Sequence, residues 1–289
     1  MVNSFRKISI VLQSARIVLW LPIMVNVCLL TLSLRHSIPE ALILGFSLSC
    51  IAAYGFLIND LWDLPVDRNN KAGKLENAPK DVLRLAACVA MFFLSLGLAL
   101  IAMLQAQSFY VMVIVAGGLT AYTFWIRPKL YLANLLAAFL ASSPLWLPNI
   151  VFMQPLKITQ IVIIVVAVLI LLGREVIFDV ADHFGDGQMG RRTLPVVFGD
   201  KIAHRIAVAM QFSGCGLLIG LTVLQAGQLI FPLQMLFFVT TTVFAILVIS
   251  INLKLLTHPG EASLICVFTK RTRFAMLLLP VLLFLLMSK

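Results

Sequence analysis

Acid is scarce in this chain. Its 289 residues hold 12 Asp and Glu against 22 Lys and Arg, and charged residues of both signs make up only 12% of it. Soluble domains approach about a quarter charged, so a water-facing globular fold is excluded. The hydrophobic share of 61% and mean hydropathy of +1.04 describe a chain suited to lipid. Histidine numbers only four, with none of the His and Cys spacing of a zinc site. The five cysteines, Cys28, Cys50, Cys88, Cys215 and Cys266, form no CxxC pair, which excludes a disulfide framework and leaves packing as their role. The net charge of +10 is spread over several short loops without an aromatic-interleaved basic patch, which argues against a nucleic-acid partner.

What the chain has in abundance is apolar runs of spanning length. Nine are read, at 16–34, 40–58, 82–104, 109–126, 130–152, 158–178, 202–225, 229–251 and 273–288. No polar stretch between them is long enough for a soluble domain, so a single integral-membrane domain over 1–289 is expected. The start of the chain resembles a signal peptide in having Arg6 and Lys7 before an apolar run. It lacks a small-residue cleavage site and reads as leading into the first span. With the N-terminus placed in the cytoplasm, every Lys and Arg except Arg35, Lys157 and Lys289 falls in a cytoplasmic segment. Every acid but Glu40 does so too. That asymmetry is the positive-inside pattern, and it favours nine spans over eight or ten.

The few acids are concentrated. Asn59-Asp60-Leu-Trp-Asp63-Leu-Pro-Val-Asp67 and Asp179-Val-Ala-Asp182-His-Phe-Gly-Asp186 each place carboxylates at i, i+3 and i+7, one face of a helix. Like charges on one face repel, and carboxylates at a membrane are costly, so a cation is expected at each. Hard oxygen ligands without His or Cys point to Mg2+, and Asn59 beside Asp60 reads as a further ligand or ligand orienter. Pro65 is expected to end the first helix, leaving Asp67 at the start of a loop. Gly185 and Gly187 are expected to end the second, and His183 is read as a loop residue. Basic residues trail each cluster, Arg68, Lys71 and Lys74 after the first and Arg191 and Arg192 after the second. Carboxylates with a cation, flanked by basic loops, suit a diphosphate. An apolar cavity suits a long isoprenoid tail and keeps water from a carbocation. Read singly, either cluster could equally be a solvated helix cap or an ion-pathway carboxylate group; the matched pair is what argues for chemistry.

These residues carry a resemblance. Asn59-Asp60-x-x-Asp63-x-x-x-Asp67 resembles the first aspartate-rich motif of the UbiA superfamily of intramembrane prenyltransferases. Arg174-Glu175 through Asp179, Asp182 and Asp186 to Gly190 and Thr193-Leu-Pro195 is similar to the second. Tyr122-x-x-x-x-Arg127 followed by Ala133-Asn134 is similar to the family's tyrosine segment. The resemblance implies an all-α bundle of nine transmembrane helices around a central cavity, with both motif loops on the cytoplasmic side of a bacterial or archaeal cell membrane. It implies Mg2+ held by the six aspartates, and diphosphate contacts for which Arg68, Arg127, Lys129 and Arg192 are the candidates. It implies a prenyl diphosphate as one partner and a small lipophilic acceptor, commonly an aromatic ring and sometimes an alcohol, as the other; no obligate protein partner is evident. Tyr122 is assigned a role in stabilising the cation through its ring. Asn26 is a candidate to face the cavity near the acceptor, with helix–helix hydrogen bonding as the competing role.

The chain departs from the family pattern at three places: Arg127 stands where Lys is common, Ala133 where Gly is common, and Lys74-Leu-Glu-Asn-Ala-Pro79 where an Arg-Pro-rich loop end is familiar. The last bears on the substrate. Terpene cyclisation needs the same metal ligands and is the alternative to transfer. A magnesium or organic-anion transporter is a third reading, opposed by the confinement of both clusters to one membrane face.

Overall fold

The computed structural model describes residues 4–70, 74–126, 132–225 and 231–257, with 267, 272, 275–276, 278–279 and 281–282 beyond them. Among the described residues the structure is helical, with no strand. Among the described residues six helices are long and apolar enough to cross a membrane, or seven if the bent N-terminal pair is one span. The chain divides into two compact units, residues 1–127 with 150–153, and residues 128–149 with 154–289.

In the first unit, α1 (Ser4–Ser14) leads through a single turn of 3-10 helix at Ile17–Leu19 into α2 (Trp20–Ser33). The two arms are bent by 46°. Arg16 sits at the bend in a left-handed conformation with φ 51°, which for a residue with a Cβ persists only where its surroundings hold it. α3 (Ile38–Trp62) begins with a reciprocal Ser37–Glu40 capping box and Pro39 in its first turn. Short α4 (Leu64–Asn70) follows, then α5 (Lys80–Ala102) and α6 (Ala106–Ala121), which runs on as a π turn over Tyr122–Ile126.

α3 is the most buried of the candidate spans and packs against α2, α5 and α6. A Cβ on Gly97 of α5 would lie 3.0 Å from the Ser47 carbonyl oxygen of α3, so glycine lets the two backbones approach. The Ser47 hydroxyl uses that approach to donate to the Gly97 carbonyl at 2.8 Å. Val11 from α1, Ala15 in the turn after it, Leu57 from α3, Leu75, and Val82 and Ala86 from α5 share one core, placing α1 and the chain after α4 on the same apolar floor as the end of α3.

In the second unit, α7 (Leu132–Ala141) and the first three residues of α8 (Leu147–Val151) precede α9 (Ile158–Gln188); α10 (Leu194–Phe198), α11 (Asp200–Gln225) and α12 (Phe231–Thr257) follow. α9 and α11 meet at Gly173, where an added Cβ would lie 2.6 Å from Gln211 Cγ and 2.7 Å from the Ala207 carbonyl oxygen. Polar side chains tie the same helices. Gln211 Nε2 donates to the Ile170 carbonyl at 3.2 Å, and Asn252 of α12 donates both to Gln211 Oε1 and to the Val248 carbonyl of its own helix. Apolar surface gives little association force between helices in lipid, so glycine contacts and buried amide bonds carry it.

Two expectations about spans change. The expected span 130–152 is not one helix: it is α7, a 3-10 turn at Ser143–Leu145, and α8. Pro144 and Pro148 lack the amide hydrogen that an unbroken helix needs, and their rings crowd the preceding turn. The expected span 273–288 lies largely outside the described residues, so nine helices are not established. The remaining apolar runs all correspond to helices, with ends shifted by several residues.

Candidate functional site

The first acidic segment straddles the end of α3. Asp60 is still helical, Asp63 is the C-cap with its backbone N–H donating to the Asn59 carbonyl at 2.9 Å, and Asp67 lies in the first turn of α4. The break therefore comes at Asp63, two residues before Pro65, and Asp67 is on a helix rather than in the expected loop. The reason is that proline is well tolerated in a first helical turn, where its missing donor has no intrahelical partner anyway. Asp60 and Asp63 are buried, and Asn59 and Asp67 half-buried.

Asp60 is not left to its own repulsions. Ser14 Oγ donates to its Oδ2 at 2.6 Å and Arg16 Nη2 reaches its Oδ1 at 3.3 Å. The Arg16 guanidinium also lies over the Phe56 ring, 4.4 Å from its centre. The tyrosine segment is brought to this end of α3 as well. Phe124 of the π turn meets Trp62 edge-on at 4.8 Å between ring centres, and Tyr54 and Thr120 share a hydrogen bond of 2.8 Å. Tyr122 is half-buried at the start of that turn, a backbone irregularity frequent at functional sites. Arg68 Nε donates to the Glu76 carbonyl at 3.0 Å, with the Arg68 side chain exposed.

The second segment lies wholly within α9. Gly185 and Gly187 do not end it, contrary to expectation; the helix continues to Gln188, and the turn comes at Gly190, φ 68°. Asp186 is therefore a helical residue like Asp179 and Asp182, and the i, i+3, i+7 face is intact. His183 is helical too, its Nδ1 2.7 Å from Asp200 Oδ1 at the start of α11. Asn134 Nδ2 donates to Asp179 Oδ2 at 2.7 Å. Asp186 is buried, and Arg191 folds back over it with its backbone N–H on the Asp186 carbonyl at 2.9 Å and Nη1 3.3 Å from Oδ1. Arg174 and Glu175 pair with each other at 2.7 Å, while Arg192 is exposed.

Asn26 is buried and donates to the Pro22 carbonyl one turn back in its own helix. Arg127 and Lys129 lie outside the described residues. The residues that sequence reasoning missed are the acids' partners: Ser14, Arg16, Asn134 and Arg191. Asn134 lay within the tyrosine segment and Arg191 within the basic run, which were the only signals; nothing in the sequence pairs Ser14 with Asp60.

Among the described residues no three acidic, His or Cys side chains converge into a preformed metal cluster. That suits Mg2+, which keeps much of its water and binds through one or two carboxylates plus substrate phosphates rather than in an all-protein cage.

Known proteins share this architecture. A UbiA homolog from Archaeoglobus fulgidus bound to GPP and Mg2+ superposes with a TM-score of 0.65 at 18% identity, covering 94% of this chain and 99% of that one. At that identity the likeness is one of fold. The digeranylgeranylglyceryl phosphate synthase of Thermococcus gammatolerans is 30% identical over 179 residues, 59% of this chain and 62% of that protein. Its counterpart in Saccharolobus solfataricus is 26% identical over 177 residues, 61% of each chain. The chain thus spans about three fifths of the length of the curated relatives it matches. The fold is that of an all-helical, multi-pass membrane protein, and the match of the UbiA prenyltransferase family over residues 19–278 establishes that the chain belongs to that family.

Proposed function

We propose that this chain is a Mg2+-dependent intramembrane prenyltransferase working as a single membrane domain of nine spans, with its N-terminus and acidic segments on the cytoplasmic side. The observation that carries this reading is the pair of acidic segments in a membrane chain of this family, 60/63/67 across the α3–α4 junction and 179/182/186 on one face of α9. Asp60, Asp63 and Asp67 with Asn59, and Asp179, Asp182 and Asp186, are the residues assigned to hold the metal. Held by these residues, Mg2+ would supply the positive charge that makes diphosphate a leaving group. Arg68, Arg127, Lys129 and Arg192 neutralise the remaining phosphate charge. The allylic carbon–oxygen bond breaks with its electron pair on the diphosphate; the acceptor forms the new bond to that carbon and gives up a proton. Tyr122 presents a ring to the developing cation, and the apolar helices keep water away from it.

The acceptor was expected to be an aromatic ring. The relatives are named digeranylgeranylglyceryl phosphate synthases, and on that name we add a glyceryl phosphate, with an alcohol as the reacting group, to the acceptors proposed for this chain. Mass spectrometry of products from purified protein, Mg2+ and a panel of prenyl diphosphates, with aromatic or glyceryl phosphate acceptors, decides among these. A mass gain of one prenyl unit on one acceptor class names it. A cyclic hydrocarbon formed without acceptor assigns the chain to the cyclases instead, and metal-stimulated uptake into vesicles without product would make it a transporter.

A further inference from the structure

The first acidic segment is completed by a helix that carries no acidic residue of its own. α1 is seated on its neighbours by the Lys7–Asp81 ion pair, by Lys74 Nζ donating to the Gln13 carbonyl, and by Val11, with Ala15 just beyond the helix, in the core shared with Leu57. Its last residue, Ser14, is fully buried and spends its hydroxyl proton on Asp60 Oδ2 at 2.6 Å. Two residues on, the left-handed turn at Arg16 directs the guanidinium to Asp60 Oδ1 at 3.3 Å. Each oxygen of an ionised carboxylate accepts two hydrogen bonds, so one side-chain donor on each oxygen fixes the direction of the group and leaves acceptor capacity for a cation.

We propose that Ser14 and Arg16 are positioning residues for Asp60, and that α1 is in this way a working part of the metal site. This rests on the reading of Asp60 as a Mg2+ ligand. Ser14 sets the orientation of the carboxylate. Arg16 supplies the compensating charge while no metal is present, since a buried carboxylate without a counter-charge is strongly disfavoured. The two residues therefore act on cation binding with opposite sign: Ser14 favours it by orienting the ligand, and Arg16 opposes it by occupying the same charge. Outer partners of metal ligands commonly change affinity by about 10- to 100-fold when removed.

The test uses full-length protein in detergent with inorganic pyrophosphate present, and titrates Mg2+ against the melting temperature, with no turnover involved. Ser14→Ala is expected to raise the Mg2+ concentration for half-maximal stabilisation about tenfold, and Ser14→Thr, which keeps the hydroxyl, to restore it. Arg16→Gln is expected to lower the metal-free melting temperature and to enlarge the rise on adding Mg2+. Ser14→Ala with a wild-type titration, or Ser14→Thr no better than Ser14→Ala, overturns the proposal. If Ser14→Ala cannot be recovered folded, Arg16→Gln decides by the size of its Mg2+ response, and an unchanged response overturns it. Asp60→Asn separates the two levels. If it keeps both the wild-type Mg2+ response and turnover, the metal-site reading itself fails; if it loses both while Ser14→Ala behaves as wild type, only the role of α1 does.

Discussion

Asn134 and Asp179 are joined by a single hydrogen bond of 2.7 Å from the side-chain amide to one carboxylate oxygen, between helices α7 and α9. α7 is a fragment of what the hydropathy pattern reads as a full span, and the start of this short helix delivers an amide to the second acidic face. Asn134→Ala is expected to raise the Mg2+ requirement of turnover by about tenfold, the usual scale for a lost partner of a metal ligand. Asn134→Asp is expected to do worse, because it sets a second negative charge against Asp179. Titrating activity with Mg2+ at saturating prenyl diphosphate checks both, and an unchanged requirement in Asn134→Ala removes the residue from the site.

Asp60→Ala and Asp182→Ala are each expected to abolish turnover while leaving folded, monodisperse protein, since each removes a proposed metal ligand. Size-exclusion chromatography and product formation, measured on the same samples, separate folding from chemistry. Wild-type turnover in either variant is incompatible with a mechanism that uses both acidic segments.

Arg191 and Arg192 are neighbours with different expected roles. Arg191 is folded over buried Asp186, so Arg191→Ala strips a buried carboxylate of a charge partner and is expected to destabilise by about 3 kcal/mol. Arg192 is exposed, and Arg192→Ala is expected to leave the melting temperature alone and to raise the KM for prenyl diphosphate more than that for the acceptor. Melting curves and two-substrate kinetics on both variants check the division; an unchanged prenyl diphosphate KM in Arg192→Ala removes it from the site.

Gly173 is the tightest point between α9 and α11. A Cβ there would stand 2.7 Å from the Ala207 carbonyl oxygen, and a backbone oxygen cannot swing aside as the end of a side chain can. Gly173→Ala is expected to cost about 1–3 kcal/mol, the range for overpacking a filled interior. Thermal melting in detergent reads the loss, and a wild-type melting temperature shows that the helices separate at no cost.

Much of this protein is legible in its sequence because the physics involved is local. A helix satisfies its backbone hydrogen bonds within its own segment, which in lipid is obligatory, so runs of apolar residues marked most spans without reference to their neighbours. The i, i+3, i+7 spacing placed Asp179, Asp182 and Asp186 on one face for the same reason. Local rules misjudged where helices stop: Pro65 is accommodated in the first turn of α4, and Gly185 and Gly187 remain helical within α9. Glycine and proline change the odds of a helix end, while packing by residues such as buried Val180 and Leu194 helps decide the outcome.

Which groups hold the carboxylates was decided only in three dimensions. Ser14 stands 46 residues before Asp60, and Asn134 stands 45 before Asp179. No pattern of charge or hydropathy pairs a serine or an amide with an acid across such distances. Those contacts depend on packing that brings separate helices together, as the core shared by Val11, Ala15 and Leu57 does for Ser14 and Asp60. The sequence by itself determined a helical membrane protein with two acidic clusters, one of them an intact helix face, through periodicity and transfer free energy. Tertiary structure alone chose the partners of those acids, because a hydrogen bond requires atoms within about 3 Å and only packing brings distant segments that close.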